Sequence, residues 1–354
     1  MLRALARVDL GAIERNCARL AATVAPARLC AVVKADGYGH GAVPAALAAQ
    51  AGGAAWLAVA AAGEAAELRA AGIEGPVLVM GALSPEELTV AVAARADVVA
   101  WREAFVAALP ADVGVHVKLD TGMGRLGTRD PAEATRVTEA AGARLAGLMT
   151  HFATADVDDQ SFVDAQLAAF RPWIARHPGV PVHAANSAAA LRRPDARFDM
   201  VRCGIAVYGM DPYHRDPADH GLEPALELTS YLAEVKRCEP GQSAGYGRRF
   251  VAERATWLGT IPIGYGDGVR RALTNNAEVL VGGRRVPLVG TVSMDNITVD
   301  LGDDPPPRGA EAVLIGARGG ERILAEDLAA RLSTINYEIT CGITARVPRE
   351  HFAR

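Results

Sequence analysis

The chain has little cysteine and no pattern in what it has. Cys17, Cys30, Cys203, Cys238 and Cys341 are odd in number, widely scattered, and lack a CxxC pair or a histidine at metal-ligand spacing. That excludes a disulfide framework, gives no metal site, and leaves reduced, mostly buried thiols of the cytosolic kind. Long apolar runs are missing as well. Alanine-rich stretches such as AALAAQAGGAAWLAVAAAGEAAEL are broken by Gln, Gly and Glu too often for a membrane span. The opening MLRALARVDLGAIERN meets Asp9 and Glu14 before any apolar core, so no signal peptide is read and a cytoplasmic location is expected. Nor is charge of either sign in excess: 37 Lys plus Arg against 41 Asp plus Glu leave a net −4. A nucleic-acid binder is therefore not expected, although a local basic pocket remains open. What the 354 residues do have is apolar mass, 50% hydrophobic against 22% charged, enough to core one large domain or two ordinary ones.

The first two-thirds alternates Val/Leu-rich runs with Ala/Leu/Glu/Arg stretches of helical period, the signature of βα units. Eight strands are read, at 29–34, 55–60, 76–81, 97–101, 113–120, 145–153, 181–186 and 201–209. Ser84-Pro85 and Asp130-Pro131 each place a capping side chain before a proline at the first helical position. Eight such repeats predict an α/β fold of the (β/α)8 TIM-barrel type over residues 1–224. An open doubly wound sheet is the alternative, disfavoured because no Gly-rich dinucleotide fingerprint follows the first strand. From residue 225 to 354 the texture becomes β-rich with Gly and Asn turns, and only Ile323 to Leu332 reads as a helix. A mainly β C-terminal domain is expected.

In a barrel of this kind chemistry gathers where strands end. The run AVVKADGYGHG ends an apolar strand in Lys34 and breaks at once into glycines. A half-desolvated lysine there has a lowered pKa and an amine able to form an imine, whereas an ion-paired strand-end lysine is the alternative. Lys118 and Arg125 bracket DTGMGR, His151 ends the sixth strand, Asn186 and Ser187 follow the seventh, and Arg202, Gly204 and Ile205 belong to the eighth. Loops after strands seven and eight are the habitual phosphate site of the fold, and Ser187 with the backbone at Gly204 and Ile205 suits an anion. An imine-forming lysine beside a phosphate cradle suggests pyridoxal 5'-phosphate.

At this point the chain resembles the alanine racemases. The matching motifs run nearly end to end: VDLGAIERN, VVKADGYGHG, KLDTGMGRLG, THFATAD, ANSAA, VRCGIAVYG, GYGRRF, GTIPIGYGDG, VGTVSMDNITVDL and INYEITCGITARVPR. The resemblance implies interconversion of L- and D-alanine, with D-alanine going to peptidoglycan. It implies that Lys34 holds the cofactor and that Tyr38, Ser187, Gly204, Ile205 and Tyr337 contact its phosphate. Arg202 matches the arginine facing the pyridine nitrogen; Arg125 and Met294 match groups that bind the substrate carboxylate. Tyr246 matches the second catalytic base, supplied in the family by the partner subunit, so a head-to-tail homodimer with composite sites is implied. Tyr265 and Tyr337 match the pair narrowing the entrance. In many members a lysine matching Lys118 is carbamylated; a plain lysine paired with Asp120 or another carboxylate is the alternative. Two departures stand out: Thr291 where many members have arginine, and Gly266 where alanine is common.

Racemisation requires a proton taken from one face of Cα and another delivered to the opposite face, which two bases accomplish. Lys34 and Tyr246 fit, with His151 and Arg202 expected to form a Tyr–His–Arg chain that keeps the phenol basic. A serine or broad-specificity racemase, a pyridoxal-dependent decarboxylase of basic amino acids and a non-catalytic cofactor-holding barrel are the competing readings. The decarboxylases set a carboxylate at the pyridine nitrogen where this chain offers Arg202, and the cofactor-holding barrels lack the β domain.

Overall fold

Eight short strands, Arg28–Val32, Trp56–Val59, Val77–Val79, Asp97–Ala100, Val115–Lys118, Leu145–Met149, Val182–His183 and Met200–Cys203, pair in parallel in chain order, and the last pairs with the first, Cys30 opposite Arg202. That closure makes a barrel and excludes the open sheet. The strands read as nearly continuous apolar runs because a closed parallel barrel buries both faces of each strand. Helices such as Ala42–Ala51 and Ala62–Ala70 cross over between them. Four of their alanines, Ala45, Ala46, Ala49 and Ala65, are wholly buried, so small side chains let these helices pack close. The two capped starts form as read: Ser84 Oγ accepts from the Glu87 N–H while Glu87 accepts from the Ser84 N–H at 2.9 Å, and Asp130 accepts from the Ala132 N–H.

All eight barrel strands are shorter than expected, and three of them end just before candidate site residues. The first stops at Val32, the sixth at Met149 and the eighth at Cys203, where the chain turns into a 3-10 segment, Ile205–Tyr208. The residues beyond, Lys34, His151 and Gly204, lie outside the barrel strands, Lys34 at the start of the short helical turn Lys34–Tyr38. Apolar letters continue past each strand because the loops at this barrel mouth are themselves buried, so composition does not mark where pairing stops.

The computed structural model describes residues 2–354 and divides into two compact units, Gly11–Glu223 and a second that joins the N-terminal segment through Leu10 to Pro224–Arg354. The division falls between Glu223 and Pro224, and the first ten residues group with the second unit and not with the barrel unit. Leu5–Asp9 alternates half-buried and buried positions, and it pairs antiparallel with Leu226–Tyr231 and parallel with Arg349–Phe352. The second unit holds a seven-stranded sheet, a three-stranded sheet of Glu234–Cys238, Thr256–Ile261 and Ile297–Gly302, and a small hairpin. Its helical content exceeds the expectation: Ile323 closes a strand, the first helix is Ala325–Leu332, and a second, Asn336–Cys341, carries Tyr337. Six residues with two β-branched members leave too little period for that helix to be read. Among the described residues no cysteine is in a disulfide; Cys341 is exposed and the other four are buried. Among the described residues no helix is long and apolar enough to cross a membrane.

Candidate active site

Lys34 stands two residues beyond the first barrel strand and opens a turn with left-handed backbone. Ala35, Asp36, Gly37 and Tyr38 take φ of 52°, 51°, 59° and 54°, and Gly39 follows at 84°. Left-handed backbone costs roughly 1–2 kcal/mol for each residue bearing a Cβ, so Ala35, Asp36 and Tyr38 persist there only because neighbours hold them. The Asp36 carboxylate accepts from the Ala42 N–H at 2.9 Å. Glu64 accepts from the Ala35 N–H at 2.6 Å and, with its other oxygen, from the Ala60 and Ala61 N–H groups at 2.8 and 3.0 Å. The turn leaves Lys34 half-buried and Tyr38 buried. The glycines of DGYGHG signalled a turn in the sequence; its handedness and its Glu64 clasp were not legible.

Tyr38, Ser187, Gly204 and Ile205, expected to share an anion, are brought together. Ser187 Oγ accepts from the Gly204 N–H at 3.0 Å and lies 3.5 Å from the Ala206 N–H. A Cβ on Gly204 would fall 2.2 Å from the Tyr38 hydroxyl, so the absence of a side chain at this position is what admits the phenol. The cluster offers two hydroxyls and the backbone N–H groups of two helical turns, Ser187–Arg192 and Ile205–Tyr208.

Arg202 is buried beneath the mouth with its terminal nitrogens fully engaged. Nη2 donates to the Thr150 and Ala184 carbonyls and to His151 Nδ1 at 2.9, 3.0 and 3.0 Å; Nη1 donates to the His183 carbonyl and to His183 Nδ1 at 3.0 and 2.7 Å. Burial lowers its pKa to about 10, which still leaves a cation at neutral pH. His151 is held well below the ordinary imidazole range, by burial first and then by Arg202, Lys118, Arg125 and Lys34. A neutral imidazole that accepts on Nδ1 carries its proton on Nε2. His183 and His116, both inside barrel strands, were missed in the sequence; the available signal was a histidine in an otherwise apolar strand.

Lys118 is buried and makes no hydrogen bond or ion pair with its ammonium group among the described residues. The alternative pairing with Asp120 does not form, because that carboxylate accepts from the Gly122 and Gly124 N–H groups and pairs with Arg129 at 3.2 Å. Burial, then Arg202 and Arg125, lower the Lys118 pKa to about 8. Arg125 itself is exposed.

Within the second unit three of the expected residues, Tyr246, Tyr265 and Met294, share one loop cluster. Tyr246 is 74% exposed, and its backbone carbonyl accepts from the Thr291 hydroxyl at 2.6 Å. The Tyr265 and Gly266 N–H groups donate to the Ser293 and Met294 carbonyls, both at 2.9 Å, which places Tyr265 beside Met294. A Cβ on Gly266 would lie 2.2 Å from Arg346 Nη1, so glycine there makes room for a guanidinium that pairs with Asp295 at 2.7 Å. Tyr337 is half-buried in Asn336–Cys341.

The barrel residues suit pyridoxal phosphate on their own chemistry: an amine for the aldehyde, a donor-rich cradle without a carboxylate for the phosphate, and the Nε of a permanently charged Arg202 for an unprotonated ring nitrogen. The family models agree with the geometry. Residues 8–212 match the N-terminal domain of alanine racemase and residues 225–351 its C-terminal domain. The alanine racemase of Thermobifida fusca is 46% identical over 363 residues, 97% of this chain and 96% of that protein. The crystal structure of alanine racemase from E. faecalis superposes with a TM-score of 0.94 at 37% identity, covering 99% of this chain and 98% of that one. An alanine racemase structure from Bartonella henselae with covalently bound pyridoxal phosphate gives a TM-score of 0.88 at 30% identity, covering 99% of both chains. Closed barrel, second β unit and end-to-end similarity together make this chain a member of the alanine racemase family.

Proposed function

We propose that the chain interconverts L- and D-alanine with pyridoxal 5'-phosphate held by Lys34, and so supplies D-alanine for peptidoglycan precursors in the cytoplasm. The observation that carries this reading is the buried cation Arg202, fixed by five hydrogen bonds at the base of a mouth that also holds Lys34 and the Tyr38/Ser187/Gly204 cradle. Buried free thiols suit a reducing compartment.

Pyridoxal phosphate, when bound, supplies the conjugation that delocalises the negative charge left at Cα when its proton departs. The protein supplies the rest. Tyr38 and Ser187, with the N–H groups near Gly204 and Ile205, bind the phosphate, and the family resemblance adds the Tyr337 phenol. Arg202, which cannot give up its proton near neutrality, donates to the ring nitrogen without protonating it and so tempers the electron sink, which disfavours transamination. The Lys34 amine takes or gives a proton on one face, and the Tyr246 phenol does so on the other. His151, neutral and accepting from Arg202, keeps an Nε2–H to stabilise the deprotonated phenol oxygen; its share in the Tyr–His–Arg chain is therefore that of a hydrogen-bond donor, with the positive charge on Arg202 alone.

Arg125 and the Met294 backbone bind the substrate carboxylate. Lys118, without a carboxylate partner, is suited to carbamylation, which would give Arg125 an anion to orient against. Tyr265 and Tyr337 narrow the entrance to alanine-sized side chains. A phenol as exposed as Tyr246 in the single chain supports its donation to a second copy, in a head-to-tail homodimer. The deciding assay is D-amino-acid production from a panel of L-amino acids with added cofactor: alanine should lead, and serine leading would favour the broad-specificity reading.

A further inference from the structure

Barrels of this architecture ordinarily fill their interior with branched aliphatic side chains. This one carries a polar line through it. From the Arg202 guanidinium, Nη1 reaches His183 Nδ1 at 2.7 Å, His183 Nε2 lies 2.8 Å from His116 Nδ1, and His116 Nε2 lies 3.3 Å from Asp97 Oδ2. Four different strands contribute one residue each. Arg202, His183 and His116 are at most 3% exposed, while Asp97 reaches the rim. Space is reserved for the line: a Cβ on Gly147 would lie 2.5 Å from His116 Nδ1, and one on Gly114 would lie 2.4 Å from Asp97 Oδ1.

Donor chemistry gives the line a direction. A guanidinium only donates, so His183 Nδ1 accepts. Burial, then Arg202, holds His183 well below the ordinary imidazole range, so it carries a single proton, on Nε2. That proton points at His116 Nδ1, which accepts, and His116 presents Nε2–H to the carboxylate. Any other arrangement sets two N–H groups against each other at under 3 Å somewhere along the line.

We propose that Asp97, acting through His116 and His183, is a positioning residue for Arg202: an anionic acceptor at the far rim locks both imidazoles in one tautomer and thereby fixes the guanidinium that serves the cofactor ring. The proposal rests on the reading of Arg202 as the group facing the ring nitrogen. The line polarises and does not carry a proton to the carboxylate, since a guanidinium and a carboxylic acid differ by about eight pKa units or more in water. Asp97 governs only one of the five Arg202 hydrogen bonds, so its loss should slow turnover by about tenfold and not abolish it.

The test uses the holoenzyme labelled with 15N in its histidines, with signals assigned through His116→Gln and His183→Gln. The wild-type protein should show both residues protonated at Nε2 and bare at Nδ1. In Asp97→Leu the His116 and His183 tautomers should become mixed and kcat should fall about tenfold with KM for alanine within about twofold; Asp97→Asn, which keeps an acceptor oxygen, should recover most of both. Protonation of either imidazole at Nδ1 in the wild type overturns the proposal even if Asp97→Leu does not fold, and so do wild-type tautomers or wild-type kcat in Asp97→Leu. Arg202→Gln separates the two levels: if it retains the wild-type rate, the reading of Arg202 itself fails, whereas its inactivity beside a silent Asp97→Leu rejects the line alone.

Discussion

Only three of the 37 basic residues are lysines, and two of them, Lys34 and Lys118, lie at the barrel mouth, with Lys236 exposed on the second unit. Amine chemistry is thereby confined, and borohydride reduction of the cofactor-loaded protein should label Lys34 alone; a label on Lys118 or Lys236 would contradict the assignment. Lys118 makes a separate prediction. With a pKa lowered to about 8, roughly a quarter of it is neutral at pH 7.5 and free to take up carbon dioxide. Intact mass should rise by one carbon dioxide in bicarbonate and lose it in Lys118→Ala; no such mass at any bicarbonate concentration argues for a plain lysine. If it remains unmodified, the sign of its pH effect is fixed: a depressed lysine pKa costs stability while the group is charged, and that cost is relieved as pH rises from about 8 toward the ordinary 10.5. Tyr246→Phe should cut racemisation by about 10²–10⁴-fold while cofactor absorbance is retained, since it removes a proton-transfer group and no cofactor contact. Wild-type rates in both directions would refute the two-base scheme. Residue identities of this kind were legible in the motifs, but the missing Lys118–Asp120 pair was not, because Asp120 is claimed by N–H groups of its own turn.

At the scale of elements the informative piece is the left-handed turn from Ala35 to Gly39. Its strain is offset by Glu64, one carboxylate accepting from three backbone N–H groups. Glu64→Gln keeps the shape and one acceptor oxygen but loses the charge, so it should destabilise the protein by about 1–3 kcal/mol and lower turnover by letting Lys34 and Tyr38 drift. Thermal unfolding and the racemisation rate would measure both, and an unchanged rate would mean that Lys34 is positioned without this clasp. The starts of the helices at Ser84 and Asp130 could be read because caps are local, two or three residues from what they satisfy. Glu64 could not, because it is a surface-helix glutamate by every sequence criterion and its partner at Ala35 lies 29 residues away.

For the whole molecule, the proposed head-to-tail dimer predicts complementation. Mixing Lys34→Ala with Tyr246→Phe chains and allowing subunits to exchange should restore about a quarter of wild-type activity, because half the dimers are mixed and each holds one intact composite site. Sites built within a single chain would leave the mixture inactive. The alternation of strand and helix periods determined by itself that the first two-thirds forms βα units and the remainder a β domain, since periodicity is a local property written into every few residues. Which strands close the barrel, why the N-terminal strand joins the C-terminal sheet, and how Arg202, His183, His116 and Asp97 align were decided only by the tertiary structure. Those relations join residues tens to hundreds of positions apart, and a hydrogen bond's direction depends on which donor faces which acceptor, something no window of sequence records.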